Sequence, residues 1–153
     1  MFRGINAVNL DAKGRMAMPT RYRPSLQQFS SGQLVITIDT QATCLLLYPL
    51  PEWEHIEAKL QTLPSFNQTA RRVQRLLIGH ATEVDMDAHG RILLTPLLLD
   101  YAELSKKLML VGQGKKFELW DEEQWQLGRD KWIAEQQSND DDQLPPELQN
   151  ISL

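Results

Sequence analysis

The chain has 153 residues, of which 42% are hydrophobic and 24% charged, with 16 Lys and Arg against 20 Asp and Glu. These proportions are typical of a folded globular protein and exclude a chain that is disordered throughout. No apolar stretch reaches the roughly 18 residues of a membrane-spanning helix, and the single Cys44 excludes an intramolecular disulfide. The composition therefore predicts a cytoplasmic protein without a membrane partner.

Charge is distributed unevenly along the chain. Residues 1–24 carry five Lys and Arg against one acid, whereas residues 117–153 carry ten acids against two basic residues. A basic N-terminal segment with an acidic C-terminal end fits a protein that meets an anion through one face. Random clustering of solvated surface charge explains the same pattern equally well.

The first predicted element is a β-hairpin. Val8, Leu10, Met16 and Met18 alternate with polar residues, which is the period-two pattern of strands with one buried face. Between the strands, residues 11–14 read Asp-Ala-Lys-Gly, which indicates a type I turn closed by a glycine with positive φ.

A helix and a second strand pair should follow. Pro19 marks the start of a short helix that ends near Phe29. The next predicted elements are two strands and two helices, namely Leu34–Ile38, Cys44–Tyr48, a helix from about Pro51, and a helix over Gln68–Ile78 that Gly79 should end.

The second part of the chain repeats this order. Residues 84–94 align with residues 8–18 at an offset of 76, with Asp, Ala, Gly and Arg in common, and residues 119–125 align with residues 47–53 at an offset of 72. The repeat predicts a turn at Asp87–Gly90, a helix that Thr95 caps, strands at Leu108–Val111 and Phe117–Trp120, and a helix from about Glu122. The chain is thus predicted to contain two copies of a hairpin, helix, hairpin, helix unit.

Several ordered blocks closely resemble the MraZ family over nearly the whole chain, to about residue 135. They are MFRG at 1–4, NLDAKGR at 9–15, Pro19 with Tyr22 and Arg23, LLLYPLPEW at 45–53, RRVQRLLIGHA at 71–81, DAHGR at 87–91 and FELWDEEQW at 117–125. The resemblance implies an α+β fold made of two tandem pseudo-symmetric swapped-hairpin β-barrel halves of the AbrB/SpoVT type, with flanking helices. The expected divisions are residues 1–79, a first half with two additional helices; residues 80–137, a second half; and residues 138–153, a disordered acidic tail.

The resemblance also implies a function. Members of this family are described as bacterial transcriptional regulators of a cell-division and cell-wall gene cluster that assemble into rings. We therefore expect a homo-oligomeric, nucleoid-associated repressor that binds double-stranded promoter DNA at short direct repeats, with no cofactor, no catalytic residue, no metal and no small-molecule substrate.

The hairpin turns are the expected DNA contacts, since an exposed arginine can donate two hydrogen bonds to guanine O6 and N7 in the major groove. On the resemblance, the DNA-binding residues are Arg3, Lys13, Arg15, His89 and Arg91. The turn-forming or interface residues are Asp11, Gly14, Asp87 and Gly90.

Other interpretations of the same residues stay open. Asp11 with Arg15, and Asp87 with Arg91, could form ion pairs that only stabilise the fold. The protein could also be a nonspecific nucleoid-associated protein or a purely structural oligomer.

A metal-dependent hydrolase is the alternative from the enzyme class, because five potential ligands crowd into ten residues: His80, Glu83, Asp85, Asp87 and His89. Only one of the four alternating positions, Asp87, has a potential ligand at the matching position of the first copy, namely Asp11. We therefore expect a protein that is not an enzyme.

Overall fold

The computed structural model describes residues 1–138 and 145–152, and within them eight strands carry the fold. The strands are β1 (Phe2–Asn9), β2 (Arg15–Ala17), β3 (Gln33–Ile38), β4 (Leu45–Pro49), β5 (Thr82–Asp85), β6 (Arg91–Leu93), β7 (Lys107–Gly114) and β8 (Phe117–Asp121). The helices are a 3-10 turn (Thr20–Tyr22), α1 (Arg23–Ser30), α2 (Leu50–Gln61), α3 (Gln68–His80), α4 (Pro96–Tyr101), α5 (Glu122–Ser138) and α6 (Pro146–Gln149). The predicted mixed α+β composition is confirmed.

The strands of the two repeats are interleaved in one antiparallel sheet. Its order is β1-β7-β8-β4-β3-β5, and exchanging the corresponding strands of the two repeats leaves that order unchanged. The first strand of each repeat therefore pairs with the third strand of the other, as β1 with β7 and β5 with β3. The second strands, β2 and β6, form a separate two-stranded ribbon.

The predicted strand pairs β3–β4 and β7–β8 are confirmed, but the first hairpin of each repeat was only partly predicted. Its turn forms, yet its two strands pair mainly with the other repeat. In the first copy a single bridge, Leu10 with Met16, joins the two strands. The expected apolar residues of the second strands are buried all the same, since Met16, Met18, Ile92 and Leu94 are each no more than 1% exposed. The apolar residues of the first strands are half-buried and pack against the same core.

A closed β-barrel is not observed in the described part of the chain. The sheet has two free edges, β1 and β5, so the predicted barrel halves are replaced by one open sheet and the ribbon. The physical reason is the exchange of strands. The first and second strands of each repeat form their hydrogen bonds with strands of the other repeat, so neither repeat closes into a barrel of its own.

The main core lies where residues of both repeats meet. Phe117 stacks on Phe2 with ring centroids 4.3 Å apart, and the ring of Tyr22 contacts Phe117 edge-on at 4.9 Å. All three side chains are buried. Burial of this aromatic cluster links β1 and the segment before α1 to β8.

Two details of the predicted helices are wrong. Thr95 stands at the N-cap of α4 with an extended backbone but makes no side-chain capping hydrogen bond, although Pro96 takes the start of the helix as predicted. Gly79 does not end α3, which continues to His80 before Ala81 turns extended.

The chain divides into two compact units, Met1–Glu122 and Glu123–Leu153. The second unit contains nearly all of α5, in which Trp125 packs edge-on against Trp132 at 5.7 Å, and the one-turn helix α6. Much of the predicted acidic tail, residues 139–144 and 153, lies outside the described residues, so its disorder stays a prediction. None of the helices in the described part has the length and apolar composition to cross a bilayer.

Candidate nucleic-acid interface

The two predicted turns have the same backbone structure. In each, the glycine donates its N–H to the aspartate carbonyl, as Gly14 to Asp11 at 3.1 Å and Gly90 to Asp87 at 2.9 Å. Both glycines have positive φ, +80° and +76°, a region that side chains with a Cβ rarely adopt. The prediction of a turn that ends in a left-handed glycine is confirmed at both places.

The aspartate side chain organises the first turn. Oδ1 of Asp11 accepts the backbone N–H groups of Lys13 and Arg15, each at 2.9 Å, while Oδ2 accepts Nε–H of Arg15 at 3.1 Å. One carboxylate thus holds both the backbone of the turn and the guanidinium that follows it.

The second turn repeats this arrangement atom for atom. Oδ1 of Asp87 accepts the N–H groups of His89 and Arg91, and Oδ2 accepts Nε–H of Arg91, all at 2.9 Å. The ion-pair interpretation of both Asp and Arg pairs is therefore correct as a description of their contacts. It does not compete with ligand binding, because only Nε of each arginine is used.

The outer nitrogens of both arginines stay available. Among the described residues no group hydrogen-bonds to Nη1 or Nη2 of Arg15 or Arg91, and their side chains are 28% and 34% exposed. A guanidinium held at Nε presents its two Nη groups in a fixed direction, which is the geometry for two parallel hydrogen bonds to one acceptor edge.

The same hydrogen bonds alter the acidity of the aspartates. The backbone N–H of Arg91 is the main cause that lowers the pKa of Asp87 to about 2, and the Arg91 side chain and the N–H of His89 add to it, while desolvation acts in the opposite direction. The N–H of Arg15 lowers the pKa of Asp11 in the same way. Both carboxylates are ionised at neutral pH and stabilise their turns in that form.

The ribbon connects the two turns directly. Gly14 O accepts the N–H of Leu94, and Gly90 O accepts the N–H of Met18, each at 2.8 Å. Because Gly14 and Met18 are four residues apart on one strand, the two glycines lie about 13 Å apart along the ribbon. The turns thus lie at its opposite ends.

Arg3 lies apart from the first turn. It lies near the start of β1, opposite Gln113 of β7, and six residues of extended strand, about 20 Å, separate it from Asn9 at the end nearest the first turn. Its carbonyl accepts the Tyr22 hydroxyl at 2.6 Å. The five predicted DNA-binding residues therefore form two groups of two, with Arg3 apart from the first turn.

Arg23 contacts the second turn, a role that was not predicted from the sequence. Its Nε donates to Met18 O at 2.7 Å, and a Cβ built on Gly90 would lie 2.2 Å from that same Nε. The repeat alignment could have indicated this residue. At the offset of 76 residues Arg23 aligns with Leu99, so the first copy has a positive charge where the second copy has an apolar residue.

The ligands of the hydrolase alternative do not converge. Within the described residues one group of three potential metal ligands lies close together, Asp39, Cys44 and Glu118, with ligand atoms within 4.8 Å of one another. It contains none of the five residues of that alternative. Burial, followed by the charges of Glu118 and Asp39, raises the pKa of the Cys44 thiol.

Fold and site together define a class of protein: two fused copies of one unit, joined through exchanged strands, with a pair of matching Asp-held arginines at the ends of a ribbon. Comparison with known proteins agrees with this division. The family model described as "MraZ protein, putative antitoxin-like" matches twice, over residues 1–76 and 77–144.

Three similar relatives share the name "Transcriptional regulator MraZ". The proteins of Coxiella burnetii and Legionella pneumophila are 56% and 55% identical over 153 residues, which is 100% of both chains in each case. That of Thioalkalivibrio sulfidiphilus is 57% identical over 136 residues, 89% of this chain and 90% of the relative.

The chain belongs to the MraZ family, which confirms the resemblance seen in its sequence blocks. Its two repeats are two tandem MraZ domains. The relatives are named as regulators of transcription rather than as enzymes, in agreement with the expectation of a non-catalytic protein.

Proposed function

We propose that this protein is a sequence-specific DNA-binding transcriptional regulator that reads guanines through Arg15 and Arg91. The observation that carries the proposal is the pair of guanidinium groups held at Nε by Asp11 and Asp87 with both Nη groups free. An aspartate that fixes its arginine in advance lowers the side-chain entropy lost on binding. Lys13 and His89 at the two turns would contact the adjacent phosphates.

The exchange of strands between the repeats supports an AbrB/SpoVT-like swapped-hairpin origin of the fold. In this interpretation residues 1–79 and 80–137 are two halves that each donate a first strand and a turn to the other. The resulting ribbon carries both turns on one small body, which suits insertion into a groove of DNA.

The distance between the turns bears on the DNA site. About 13 Å along the ribbon is well below the ~34 Å of one helical turn of B-DNA. The two turns of one chain therefore reach neighbouring base pairs within one short site, and contacts one helical turn further along require another copy of the chain. We infer a homo-oligomeric ring on promoter direct repeats.

The names of the relatives and the resemblance to the family support the biological part of the proposal. The protein acts in the cytoplasm at the nucleoid, where it represses its own cell-division and cell-wall gene cluster.

Binding of purified protein to the DNA upstream of its own gene, compared with an unrelated fragment, tests the proposal. Arg15→Ala should weaken binding to the upstream DNA by about 5- to 150-fold for each guanine contact, since a good bidentate pair is worth ~1–3 kcal/mol. Circular dichroism and size-exclusion profiles should be unchanged, because the Arg15 side chain lies at the surface and is only half-buried, and its turn keeps the backbone hydrogen bonds to Asp11.

Two further variants control this experiment. Arg15→Lys keeps the positive charge but lacks the planar fork, so it should retain nonspecific binding while losing discrimination between the fragments. Lys131→Ala, whose side chain is 74% exposed on α5, should bind as the unaltered protein does. Equal affinity for both fragments would reduce the proposal to nonspecific binding, and an unfolded Arg15→Ala would assign that residue to fold stability.

A further inference from the structure

The side chain of Arg23 packs against Gly90 of the second turn. A Cβ built on Gly90 would meet three atoms of Arg23, namely Nε at 2.2 Å, Cζ at 2.4 Å and Cδ at 2.7 Å. Gly90 is buried, whereas Gly14 of the first turn is half-buried. The side chain of Arg23 thus occupies the place that any larger residue at position 90 would need.

Hydrogen bonds hold Arg23 at this position. Nε–H donates to Met18 O at 2.7 Å, and the N–H of Met18 donates to Gly90 O at 2.8 Å. The guanidinium is therefore linked to the turn through one intervening residue. As at Arg15 and Arg91, only Nε is engaged, and within the described residues no carboxylate lies within 4.0 Å of Arg23 to neutralise it.

Within residues 1–138 and 145–152, no cation lies over the glycine of the first turn. The residue that corresponds to Arg23 at the offset of 76 is Leu99. The nearest atoms to a Cβ on Gly14 are Leu94 O at 3.2 Å and Cδ1 of Leu93 at 3.9 Å. The first turn is covered by backbone and an aliphatic side chain.

The two turns also differ in the basic residue that each contains at its tip. The first turn contains Lys13, whereas the second turn has His89 at the matching position. Arg23 adds a full charge to the second turn, so that each turn has two permanent cations: Lys13 with Arg15, and Arg23 with Arg91.

We propose that Arg23 is a DNA phosphate-binding residue of the second turn and takes the part there that Lys13 takes in the first. This inference rests on the proposed function and assigns a residue that the repeat alone does not reveal. Its Nη groups would donate to a phosphate beside the base that Arg91 contacts, and the contact to Gly90 sets the position of the guanidinium.

The salt dependence of DNA binding tests this role through a set of three variants. Each phosphate contact contributes a slope of about −0.9 to the plot of log affinity against log salt. Arg23→Gln keeps a side-chain N–H donor for Met18 O but removes the charge, so it should weaken binding and make the slope shallower by about 0.9 for each second turn engaged. Arg23→Lys should retain the slope, and Arg23→Gln combined with His89→Lys should restore it.

Chemical footprinting of the unaltered protein gives a second measurement that does not depend on how a variant folds. Phenylglyoxal modifies free guanidinium groups. Bound DNA from upstream of the protein's own gene should protect Arg23 and Arg91 from this modification. Arg129 on α5, with a side chain 46% exposed, should be modified equally with and without DNA.

The outcomes separate this inference from the proposed function. If Arg15→Ala abolishes specific binding but Arg23→Gln keeps the full slope, or if DNA leaves Arg23 unprotected, the role of Arg23 is overturned and the proposed function stands. Lower thermal stability of Arg23→Gln with an unchanged slope would make Arg23 a structural support of the turn only. Failure of the unaltered protein to bind DNA would overturn both.

Discussion

The two turn aspartates show how one side chain can set both a fold and a site. Each carboxylate accepts two backbone N–H groups and one guanidinium Nε–H, so its charge stabilises the turn and aims the arginine in one arrangement. Hydrogen bonds to the ionised carboxylate lower its pKa, so the low pKa of each aspartate reflects the free energy by which these contacts stabilise the ionised form.

Asp87 should therefore make the protein sensitive to acid. Its pKa falls from an ordinary 3.8 to about 2 in the folded chain, so its stabilising effect is complete above about pH 4 and is lost as the pH falls through about 2. Asp87→Asn removes this proton linkage. The midpoint of thermal unfolding should fall less steeply between pH 5 and pH 2 in Asp87→Asn than in the unaltered protein.

Asp130→Asn on α5 controls for the loss of one negative charge and should keep the steeper decline. Circular dichroism at a series of pH values measures all three proteins. Parallel curves for Asp87→Asn and the unaltered protein would contradict a stabilising role for the Asp87 carboxylate.

At the scale of single elements, glycines with different surroundings predict opposite responses to the same substitution. Gly79 lies inside α3, is exposed, and has no atom within 4 Å of an added Cβ. Gly79→Ala should raise the free energy of unfolding by about 0.5–1 kcal/mol, because alanine loses less backbone entropy on forming a helix.

Gly90→Ala is the matched comparison. Its positive φ costs roughly 1–2 kcal/mol for a residue with a Cβ, and the contact with Arg23 adds to that cost. Guanidinium chloride unfolding of both variants should rank Gly79→Ala above the unaltered protein and Gly90→Ala below it. The reverse order would show that the helix or the turn is not formed as described.

At the scale of the whole molecule, interleaved strands predict that residues 1–122 unfold as one unit. Phe117 belongs to the second repeat but packs on Phe2 and Tyr22 of the first. Phe117→Ala should lower stability by about 3–5 kcal/mol. Native-state hydrogen exchange should show that loss equally for amides of β3 and of β7.

Leu127→Ala provides the comparison, since that side chain is 70% exposed and its truncation should change stability by less than about 0.5 kcal/mol. Protection lost in β7 but kept in β3 would mean that the repeats unfold separately.

The proposed ring predicts multivalent binding. In a ring each copy presents its ribbon in the same orientation, so direct repeats one helical turn apart engage successive copies and gain ~10²–10⁴ in affinity over one repeat. Quantitative binding should rank three direct repeats above a single repeat, and above three repeats whose middle member is displaced by half a turn. Equal affinities would contradict multivalency, and a preferred palindrome would indicate a two-fold dimer.

Local features of this chain were predictable because neighbouring residues determine them. The Asp and Gly of each turn stand three residues apart and close the turn by their own hydrogen bonds, and the strands of each pair β3–β4 and β7–β8 are joined by short connections. The two repeats were also predictable from the sequence, because aligning the chain with itself shows them directly. The family followed from the same blocks.

The partners of β1, β2, β5 and β6 were decided only by the tertiary structure. Alternating apolar residues specify which face of a strand faces the core. They do not determine which other strand pairs with it. Two copies of one unit offer the same apolar pattern twice, so pairing within a repeat and pairing between repeats look alike in the sequence. The position of Arg23 over Gly90 follows from pairing between repeats, because that pairing places the second turn beside Met18.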